Sequence, residues 1–307
     1  MRGAFAAANN FLQLRASRSP SLQLPHGLIA VTVTPWMAAA QPVFGGVAVQ
    51  LYVINLDRAA ARMQRVGLLL AELNIPFQRV SAVDGNGLPK ICADAPDHEY
   101  VLSRSEIACA QSHQKCWDLF ERSRDACCVV LEDDVHFGED FAAFMASAPT
   151  LPADFDLIKI ESVRKKVWLD RKAPHAAVAG GRALLRLASK HMGSAGYVLS
   201  RTGLEKLRGL TRTIDYPIDE ILFGQHLADL TIYQMAPAIV AQDRVLEQAS
   251  PEGQALASSI AGDSGRRPRL SRASKLLREI RRPFRYVVPP GPLRAKFRLR
   301  CGEVGFR

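Results

Sequence analysis

Three consecutive carboxylates follow a run of apolar residues in the middle of the chain. The run ACCVVL at 126–131 leads directly into Glu132, Asp133 and Asp134. Neighbouring carboxylates repel one another unless water or a cation relieves the repulsion. At a strand end, Glu132 and Asp134 point to one side and Asp133 to the other. Two carboxylates on one side favour a hard divalent cation with positions open for a diphosphate. A solvated acidic turn is the alternative, but the position after a buried strand favours Glu132 and Asp134 as metal ligands.

Basic side chains are grouped at the start of the first predicted helix. Arg58, Arg62 and Arg65 follow an apolar run that ends beside Asn55. Residues at positions i, i+4 and i+7 share one face of a helix. A helix N-terminus with guanidinium groups nearby suits the phosphates of a nucleotide. We therefore predict a phosphate site here, although for Arg65 alone a solvated helix face is the favoured interpretation.

An Asp-Gly pair ends the second predicted strand. The carboxylate of Asp84 could accept a hydrogen bond from a ribose hydroxyl. The alternative is a structural role, because Asp followed by Gly is a favourable turn sequence. The spacing alone does not decide between the two interpretations.

Two acids open a short helix in the segment YPIDE, where Pro217 occupies the first turn. The helix dipole stabilises carboxylates at this position, which is a sufficient structural explanation for Glu220. For Asp219 the same dipole favours the ionised form, which a general base needs to deprotonate a sugar hydroxyl. Asp219 is therefore our candidate catalytic base.

Two weaker signals remain. The segment GSAGY at 193–197 contains glycines that let backbone approach a ligand closely. His113 lies on the apolar face of a predicted helix, where a core role is favoured over a catalytic one.

These residues require a strand–helix–strand scaffold. An apolar run at 48–54 predicts a buried strand, and Met63, Val66, Leu70 and Leu73 give the following helix one buried face. A second strand is predicted at 76–83, so the unit is βαβ with a ligand crevice at the strand carboxyl ends. The fold class is therefore α/β.

The rest of the body continues this pattern. Ser103 and Glu106 form an S-x-x-E capping box that opens a helix reaching residue 121. Further strands are predicted at 126–131, 155–160, 182–188, 195–200 and 231–235.

Charge divides the chain into three parts. Residues 264–307 contain 14 Lys or Arg and two acids, and residues 1–46 contain three Arg and no acid, while the body between them is acidic. We predict a poorly ordered N-terminal extension at 1–46, one catalytic domain at 47–262 and a basic tail at 263–307 outside the packed domain. Because the body is acidic, we do not expect it to bind the phosphate backbone of a nucleic acid, whereas the basic tail favours contact with an anionic surface.

The sequence has no run of about 18 apolar residues, so it predicts no membrane span.

The cysteines give no metal-binding pattern. None of the six residues forms a CxxC pair. Cys127 and Cys128 lie in an apolar run and are predicted to be small buried hydrophobes in a reducing compartment.

Six motifs in order resemble glycosyltransferase family 25, which includes bacterial lipooligosaccharide galactosyltransferases and, more distantly, collagen galactosyltransferases. The motifs cover the region 48–245, and their ordered set is more specific than any one of them. They are YVINLDRAAAR (52–62), VSAVDG (80–85), LSRSEIACAQSH (102–113), VVLEDDV (129–135), GSAGYVLSRTG (193–203) and YPIDEILF (216–223).

The resemblance implies a GT-A-type, Rossmann-like mixed sheet flanked by helices. It also implies a UDP-sugar donor, Mn²⁺ held by the acidic triplet, and inverting transfer, with galactose as the expected sugar and a lipooligosaccharide or lipopolysaccharide glycan as acceptor. The expected location is cytoplasmic, at the inner face of the cytoplasmic membrane. By position, Glu132 and Asp134 match the metal ligands and Asp219 the acidic base. The predicted donor-binding set is Asn55, Arg58, Arg62, Asp84, Gly85 and Asp133.

Other function classes stay open at this point. A metal-dependent phosphohydrolase or nucleotidyltransferase also uses clustered carboxylates. A catalytically silent binding protein for sugar nucleotides or glycans would show donor affinity without turnover. A nucleic-acid binder ranks last, because the basic tail has few aromatic residues for stacking.

Overall fold

The computed structural model describes residues 49–89, 102–146, 151–247 and 299–307. The predicted extension at 1–46 and the residues 263–298 of the predicted basic tail lie outside the described residues. The strands are β1 (Val49–Asn55), β2 (Gln78–Ser81), β3 (Cys127–Glu132), β4 (Val135–Phe137), β5 (Leu157–Lys159), β6 (Lys166–Val178), β7 (Arg182–Leu187), β8 (Gly196–Ser200), β9 (Ile232–Ala236), β10 (Val240–Gln242) and β11 (Leu299–Glu303). The helices are α1 (Ala60–Glu72), α2 (Arg104–Arg122), α3 (Phe141–Ala146), α4 (Arg201–Leu210), α5 (Ile218–Glu220) and α6 (Asp243–Glu247).

Nine of these strands form one mixed sheet in the order β11-β6-β7-β9-β5-β8-β3-β1-β2, and β4 pairs with β10 in a small second sheet. The predicted α/β class, with a mixed sheet flanked by helices, is confirmed. Strands β1, β2 and β3 run parallel, with β1 in the middle. The apolar runs of β1 and β3 are buried on both faces, as expected of parallel strands covered by helices, whereas in β2 only Val80 is buried.

The register brings the polar strand ends to one edge. Ile54 pairs with Glu132, and Asn55 pairs with Ser81, so the carboxyl ends of the three parallel strands are adjacent. Strand β8 runs antiparallel to β3, and Gly196 pairs with Leu131. The segment that precedes β8 therefore reaches the same edge as Glu132.

Helix α2 packs against one face of the sheet. Its N-terminus has the predicted capping box, in which Ser103 accepts from the backbone N–H of Glu106 and Glu106 accepts from the backbone N–H of Ser103. Trp117 and Phe120 are fully buried on its inner face, in one apolar layer with Phe223. The opposite face of the sheet is covered by α1 and α3, whose buried residues include Val66, Leu70 and Phe141.

Four strands were not expected from the sequence. Strands β4, β6, β10 and β11 have no prominent apolar run, and β4 and β10 contain only three residues each. Short or polar strands are specified by pairing with neighbours rather than by their own composition. The interruption of β6 by register shifts against β7 further obscures its pattern.

The prediction that everything after residue 262 lies outside the packed domain is wrong for residues 299–307. Strand β11 pairs with β6 along five residues, and Val304 is buried. The backbone carbonyl of Arg307 accepts from the buried guanidinium of Arg182 at 2.6 Å. This segment belongs to the domain because it closes the sheet edge and satisfies a buried cation.

Within the described ranges, no helix is long and apolar enough to cross a membrane.

Removing residues 299–307 should destabilise the domain. Burial of Val304 alone contributes about 1.5–3 kcal/mol, and the deletion also takes an acceptor from Arg182. We expect the free energy of unfolding, measured by urea denaturation, to fall by at least about 2 kcal/mol. Arg300→Gln, which changes an exposed side chain of the same strand, is the control and should leave stability unchanged. Equal stability of the deletion variant would show that this edge is dispensable.

Candidate active site

The acidic triplet lies where β3 ends, at the centre of the sheet edge. The side-chain amide of Gln242 lies 3.2 Å from Asp134 Oδ1 and 3.5 Å from Glu132 Oε2, so both carboxylates face β10. Glu132 Oε1 also accepts from the hydroxyl of Ser194 at 2.9 Å. The structure thus places Glu132 and Asp134 on the same side, as the alternation of side chains predicts.

The pKa values of Glu132 and Asp134 shift in opposite directions. Burial and, next in importance, the negative charge of Glu132 together raise the pKa of Asp134 to about 7. Burial also opposes ionisation of Glu132, but the proximity of His113 and the bond from Ser194 more than offset it, so its pKa is lowered. The pair therefore offers carboxylate oxygens on one side of the strand, with the amide nitrogen of Gln242 donating to both acids.

Asp133 points the opposite way. Its Oδ2 accepts from the side-chain amide of Asn55 at 2.6 Å, and its Oδ1 lies 3.2 Å from Arg62 Nη1. Asn55 also accepts from Arg79 through its Oδ1 at 2.9 Å. Three members of the predicted donor-binding set, Asn55, Arg62 and Asp133, therefore meet between β1 and the first turn of α1.

The predicted basic face of α1 does not exist as a single surface. Arg58 precedes the helix and pairs with Asp84 at an exposed position. Arg62 turns to Asp133, and Arg65 donates to the backbone carbonyl of Val135 at 3.0 Å. Arg65 also pairs with Asp243, so the interpretation of Arg65 as part of a solvated face is wrong. The arginines separate because each is drawn to a different acid or carbonyl.

Gly85 lies against the N-terminus of α2. A Cβ atom at this position would come within 3.1 Å of backbone atoms of Arg104 and Ser105. Close packing is thus a sufficient reason for glycine here. Asp84 caps the same turn by accepting from the backbone N–H of Asn86 at 2.9 Å, which is the turn role that the sequence left open.

Asp219 lies on the other side of β3 from Asn55, beside the segment that precedes β8. Its Oδ2 accepts from the backbone N–H of Gly193 at 3.2 Å, and its Oδ1 accepts from the backbone N–H of Glu220 at 2.9 Å. Burial raises the pKa of Asp219, while these backbone donors and the charge of Lys159 act in the opposite direction. A π-helical turn, Ile221–Gln225, follows immediately, and such turns are frequent at functional sites.

The segment 193–195 joins several acids of the site. Gly193 bonds Asp219 through its N–H, Ser194 bonds Glu132 through its hydroxyl, and the N–H of Ala195 donates to Glu161 at 3.1 Å. Gly193 has φ of +99°, and a Cβ atom there would come within 2.8 Å of the Glu161 carboxylate. Glycine is therefore required both by the backbone conformation and by close approach.

A buried ion pair supports this segment. Lys159 and Glu161 are both inaccessible to solvent, and their charged atoms are 2.9 Å apart. Lys159 also donates to the carbonyl of Gly193 and lies 4.4 Å from the centre of the Phe223 ring. Sequence reasoning missed both residues because they alternate within an apolar strand end, and a Lys-x-Glu spacing is common on solvated strands.

Three further polar side chains of the site were missed or left undecided. Gln242 lies on a three-residue strand that the sequence does not reveal, and Ser194 was noted only for the glycines around it. His113 is fully buried on α2, with Nδ1 2.9 Å from the hydroxyl of Tyr197 and Nε2 3.8 Å from Glu132 Oε1. Only the tertiary structure shows that His113 lies next to the acidic pair.

Comparison with known proteins identifies the family of this chain. The profile of the family described as glycosyltransferase family 25 (LPS biosynthesis protein) matches residues 48–222. Lacto-N-neotetraose biosynthesis glycosyltransferase LgtB of Neisseria gonorrhoeae is 29% identical over 70% of this chain and 81% of its own length. Lipooligosaccharide biosynthesis protein lic2B of Haemophilus influenzae is 27% identical over 62% and 75%. Procollagen galactosyltransferase 1-A of Xenopus laevis is 29% identical over 56% of this chain and 30% of that protein.

The matched region contains β1, the acidic triplet at the end of β3, the segment 193–195 and Asp219. The resemblance drawn from the six motifs is confirmed. This chain belongs to glycosyltransferase family 25, the family of lipopolysaccharide-biosynthesis glycosyltransferases.

Proposed function

We propose that this chain transfers galactose from UDP-galactose to a lipooligosaccharide or lipopolysaccharide glycan, with inversion at the anomeric carbon. One observation carries the proposal: strand β3, which ends in the acidic triplet, lies between β1 with Asn55 and β8 with the segment that holds Asp219. In this proposal the donor site and the base lie on opposite sides of one carboxylate pair. The name of lic2B supports a lipooligosaccharide acceptor, the name of LgtB supports glycan synthesis, and the name of the procollagen enzyme supports galactose.

The residues at the end of β3 fit a hard divalent cation such as Mn²⁺. Glu132 and Asp134 offer only oxygen ligands, which such ions prefer. Burial of Asp134 and the negative charge of Glu132 raise the pKa of Asp134 to about 7, and a bound cation would relieve the repulsion between the two carboxylates. When bound, Mn²⁺ supplies positive charge to a departing diphosphate.

The donor side lies between β1 and α1. Asn55 and Asp133 hold each other in place, and Arg62 is held against Asp133, so the guanidinium is fixed near the strand end. A fixed guanidinium suits phosphate oxygens, because its donors are already oriented. Arg58 and Asp84 are exposed and paired with each other, and we assign them to contact with the nucleoside as part of this proposal.

The base side contains Asp219. The backbone N–H of Gly193 holds Oδ2, and the carboxylate can still accept a hydrogen bond from a sugar hydroxyl. Because burial raises its pKa, ionised Asp219 is a stronger base than an exposed aspartate. As the acceptor oxygen bonds to the anomeric carbon, its proton passes to Asp219. The bond from that carbon to the diphosphate breaks, and its electron pair leaves with UDP. A single displacement from the opposite side inverts the configuration.

Two other classes of function make different predictions. A phosphohydrolase or nucleotidyltransferase would consume nucleotide without a glycan acceptor. A silent binding protein would bind the donor and release no UDP. The separate, partly buried acid Asp219, on the far side of β3 from Arg62, favours transfer over both.

We also propose that the chain works at the inner face of the cytoplasmic membrane. This proposal rests on the composition of the basic segment 266–285, which contains nine Lys or Arg and one acid, Glu279. Each basic residue near an anionic membrane can contribute about 1 kcal/mol, so a few contacts suffice. A lipid-linked acceptor would be presented at that surface.

UDP release should depend on Mn²⁺ and on Asp134. We expect the purified protein to release UDP from UDP-galactose, more than from UDP-glucose or UDP-N-acetylglucosamine, when a truncated glycolipid acceptor is present. A chelator should abolish release, and Asp134→Asn should lower it by about 100-fold or more, since a catalytic metal is worth several kcal/mol. Asp118→Asn, at an exposed position on α2, is the control. Release without acceptor would indicate a hydrolase, and donor binding without release a silent binding protein.

Asp219→Asn should stop transfer and leave donor binding intact. The amide keeps the shape of the side chain but cannot accept the hydroxyl proton, so kcat should fall about 10²- to 10⁴-fold. Calorimetric titration with UDP and Mn²⁺ measures the retained binding. Asp215→Asn, at an exposed position four residues earlier, should behave as the unaltered protein. Full transfer by the Asp219 variant would remove it from the mechanism.

Neutralising the basic segment should abolish membrane association. The nine Lys and Arg residues of 266–285 would be changed to Gln, with 299–307 retained because that part closes the sheet. We expect the unaltered protein to sediment with anionic vesicles but not with neutral ones, and the variant with neither. Continued sedimentation of the variant with anionic vesicles would place the contact elsewhere.

A further inference from the structure

Three buried side chains form a hydrogen-bonded chain that ends at the acidic pair. Trp117 Nε1 donates to the hydroxyl of Tyr197 at 2.9 Å, and the same hydroxyl lies 2.9 Å from His113 Nδ1. Indole N–H can only donate, so the Tyr197 oxygen is the acceptor in the first bond. All three residues are fully buried on the inner side of α2 and β8.

These hydrogen bonds determine which ring nitrogen of His113 carries the proton. If Nδ1 donated to Tyr197, the phenol oxygen would accept two bonds and its own proton would have no acceptor in the described part of the chain. Buried hydroxyl groups are rarely left so, because an unmade bond is unfavourable. Tyr197 therefore donates to Nδ1, and the ring proton of His113 lies on Nε2. We infer that His113 is a positioning residue of the active site, which directs an Nε2–H at Glu132 and holds that carboxylate in its ligating orientation.

The surroundings of Nε2 agree with this direction. Among the described residues Nε2 makes no hydrogen bond, and Glu132 Oε1 lies 3.8 Å from it. A small rotation of either side chain would close this gap. The same oxygen accepts from Ser194, so Glu132 would be held from α2 and from the segment before β8 at once.

The alternative to a hydrogen bond between His113 and Glu132 is a thiophilic metal ion bound at the same position. The ligating atoms of Cys109, His113 and Glu132 lie within 4.8 Å of one another. Such an ion would need a thiolate and an unprotonated Nε2. Burial, together with the negative charges of Glu132, Asp219 and Asp134, raises the pKa of the Cys109 thiol. Because Tyr197 donates to Nδ1, the ring proton of His113 lies on Nε2, and that nitrogen has no lone pair free to bind the ion.

The inference deepens the proposed function and rests on it in one respect, namely that Glu132 binds the cation. Partners that orient a metal-binding carboxylate typically change metal affinity or activity by about 10- to 100-fold when removed. The position of the proton on His113 does not depend on the proposed function, and it can be measured separately.

A second buried histidine of the protein serves as an internal reference for that measurement. His191 is also buried, and its Nδ1 lies 2.6 Å from Gln234 Oε1. The amide nitrogen of Gln234 donates to the carbonyls of Lys159, Glu161 and Met235, so Oε1 is the atom that faces the ring. Burial and the charge of Lys159 lower the pKa of His191 to about 3, so this ring is neutral at pH 7. His191 therefore carries its proton on Nδ1, the opposite of His113.

Nitrogen-15 spectra of the metal-free protein with labelled histidine test the proton positions. We expect His113 to be protonated on Nε2 alone and His191 on Nδ1 alone, with signals assigned through His113→Gln and His191→Gln. Tyr197→Phe should remove the hydrogen bond to Nδ1 and change the His113 signals without changing those of His191. Protonation of His113 on Nδ1 in the unaltered protein would overturn the inference, whatever the variants do.

Mn²⁺ affinity in the presence of UDP, measured from the resonance of free Mn²⁺, tests the positioning role. His113→Leu should weaken binding about 10- to 100-fold, whereas His113→Gln, whose amide can still donate to Glu132, should recover most of it. His191→Leu controls for the loss of a buried imidazole, and thermal unfolding checks that each variant is folded. A folded His113→Leu variant with unchanged affinity would overturn the inference. Absence of Mn²⁺ binding by the unaltered protein, with His113 protonated on Nε2, would instead contradict the proposed function.

Discussion

The structure depends on how negative charge is accommodated at the end of β3. Glu132, Asp133 and Asp134 follow a strand buried on both faces, so their side chains enter low-dielectric surroundings. Buried carboxylates are tolerated only where donors or cations meet them. The elements around this strand end supply such groups, and the arrangement of those elements defines the site.

The donors come from both neighbours of β3 in the sheet. On the β1 side, Asn55 and Arg62 satisfy Asp133. On the β8 side, Ser194 bonds Glu132, and β10 contributes Gln242 between Glu132 and Asp134. Asp133 is engaged by Asn55 and Arg62 on its own side of the strand. Glu132 and Asp134 share the other side, where the pKa of Asp134 is raised to about 7, so this pair, and not Asp133, suits a cation.

The antiparallel pairing of β8 with β3 has a functional consequence. It brings the segment 193–195 to the strand end, where three successive residues bond Asp219, Glu132 and Glu161. The proposed base and a proposed metal ligand are therefore held by one short piece of backbone. Lys159 braces that backbone from inside the core. Catalysis by group transfer needs such fixed separations, because misplacement of a base by about 1 Å can lower the rate about 100-fold.

The sequence by itself determined the βαβ unit, the capping box of α2, the division of the acidic triplet and the family. Each of these follows from local periodicity, from alternation along a strand or from ordered motifs. Tertiary structure alone decided the partners: Arg65 with Asp243, Gln242 with the acidic pair, His113 with Tyr197, and residues 299–307 as the edge of the sheet. These contacts join residues far apart in the chain. Side-chain periodicity records which face is buried, but not which distant group a buried polar atom will meet.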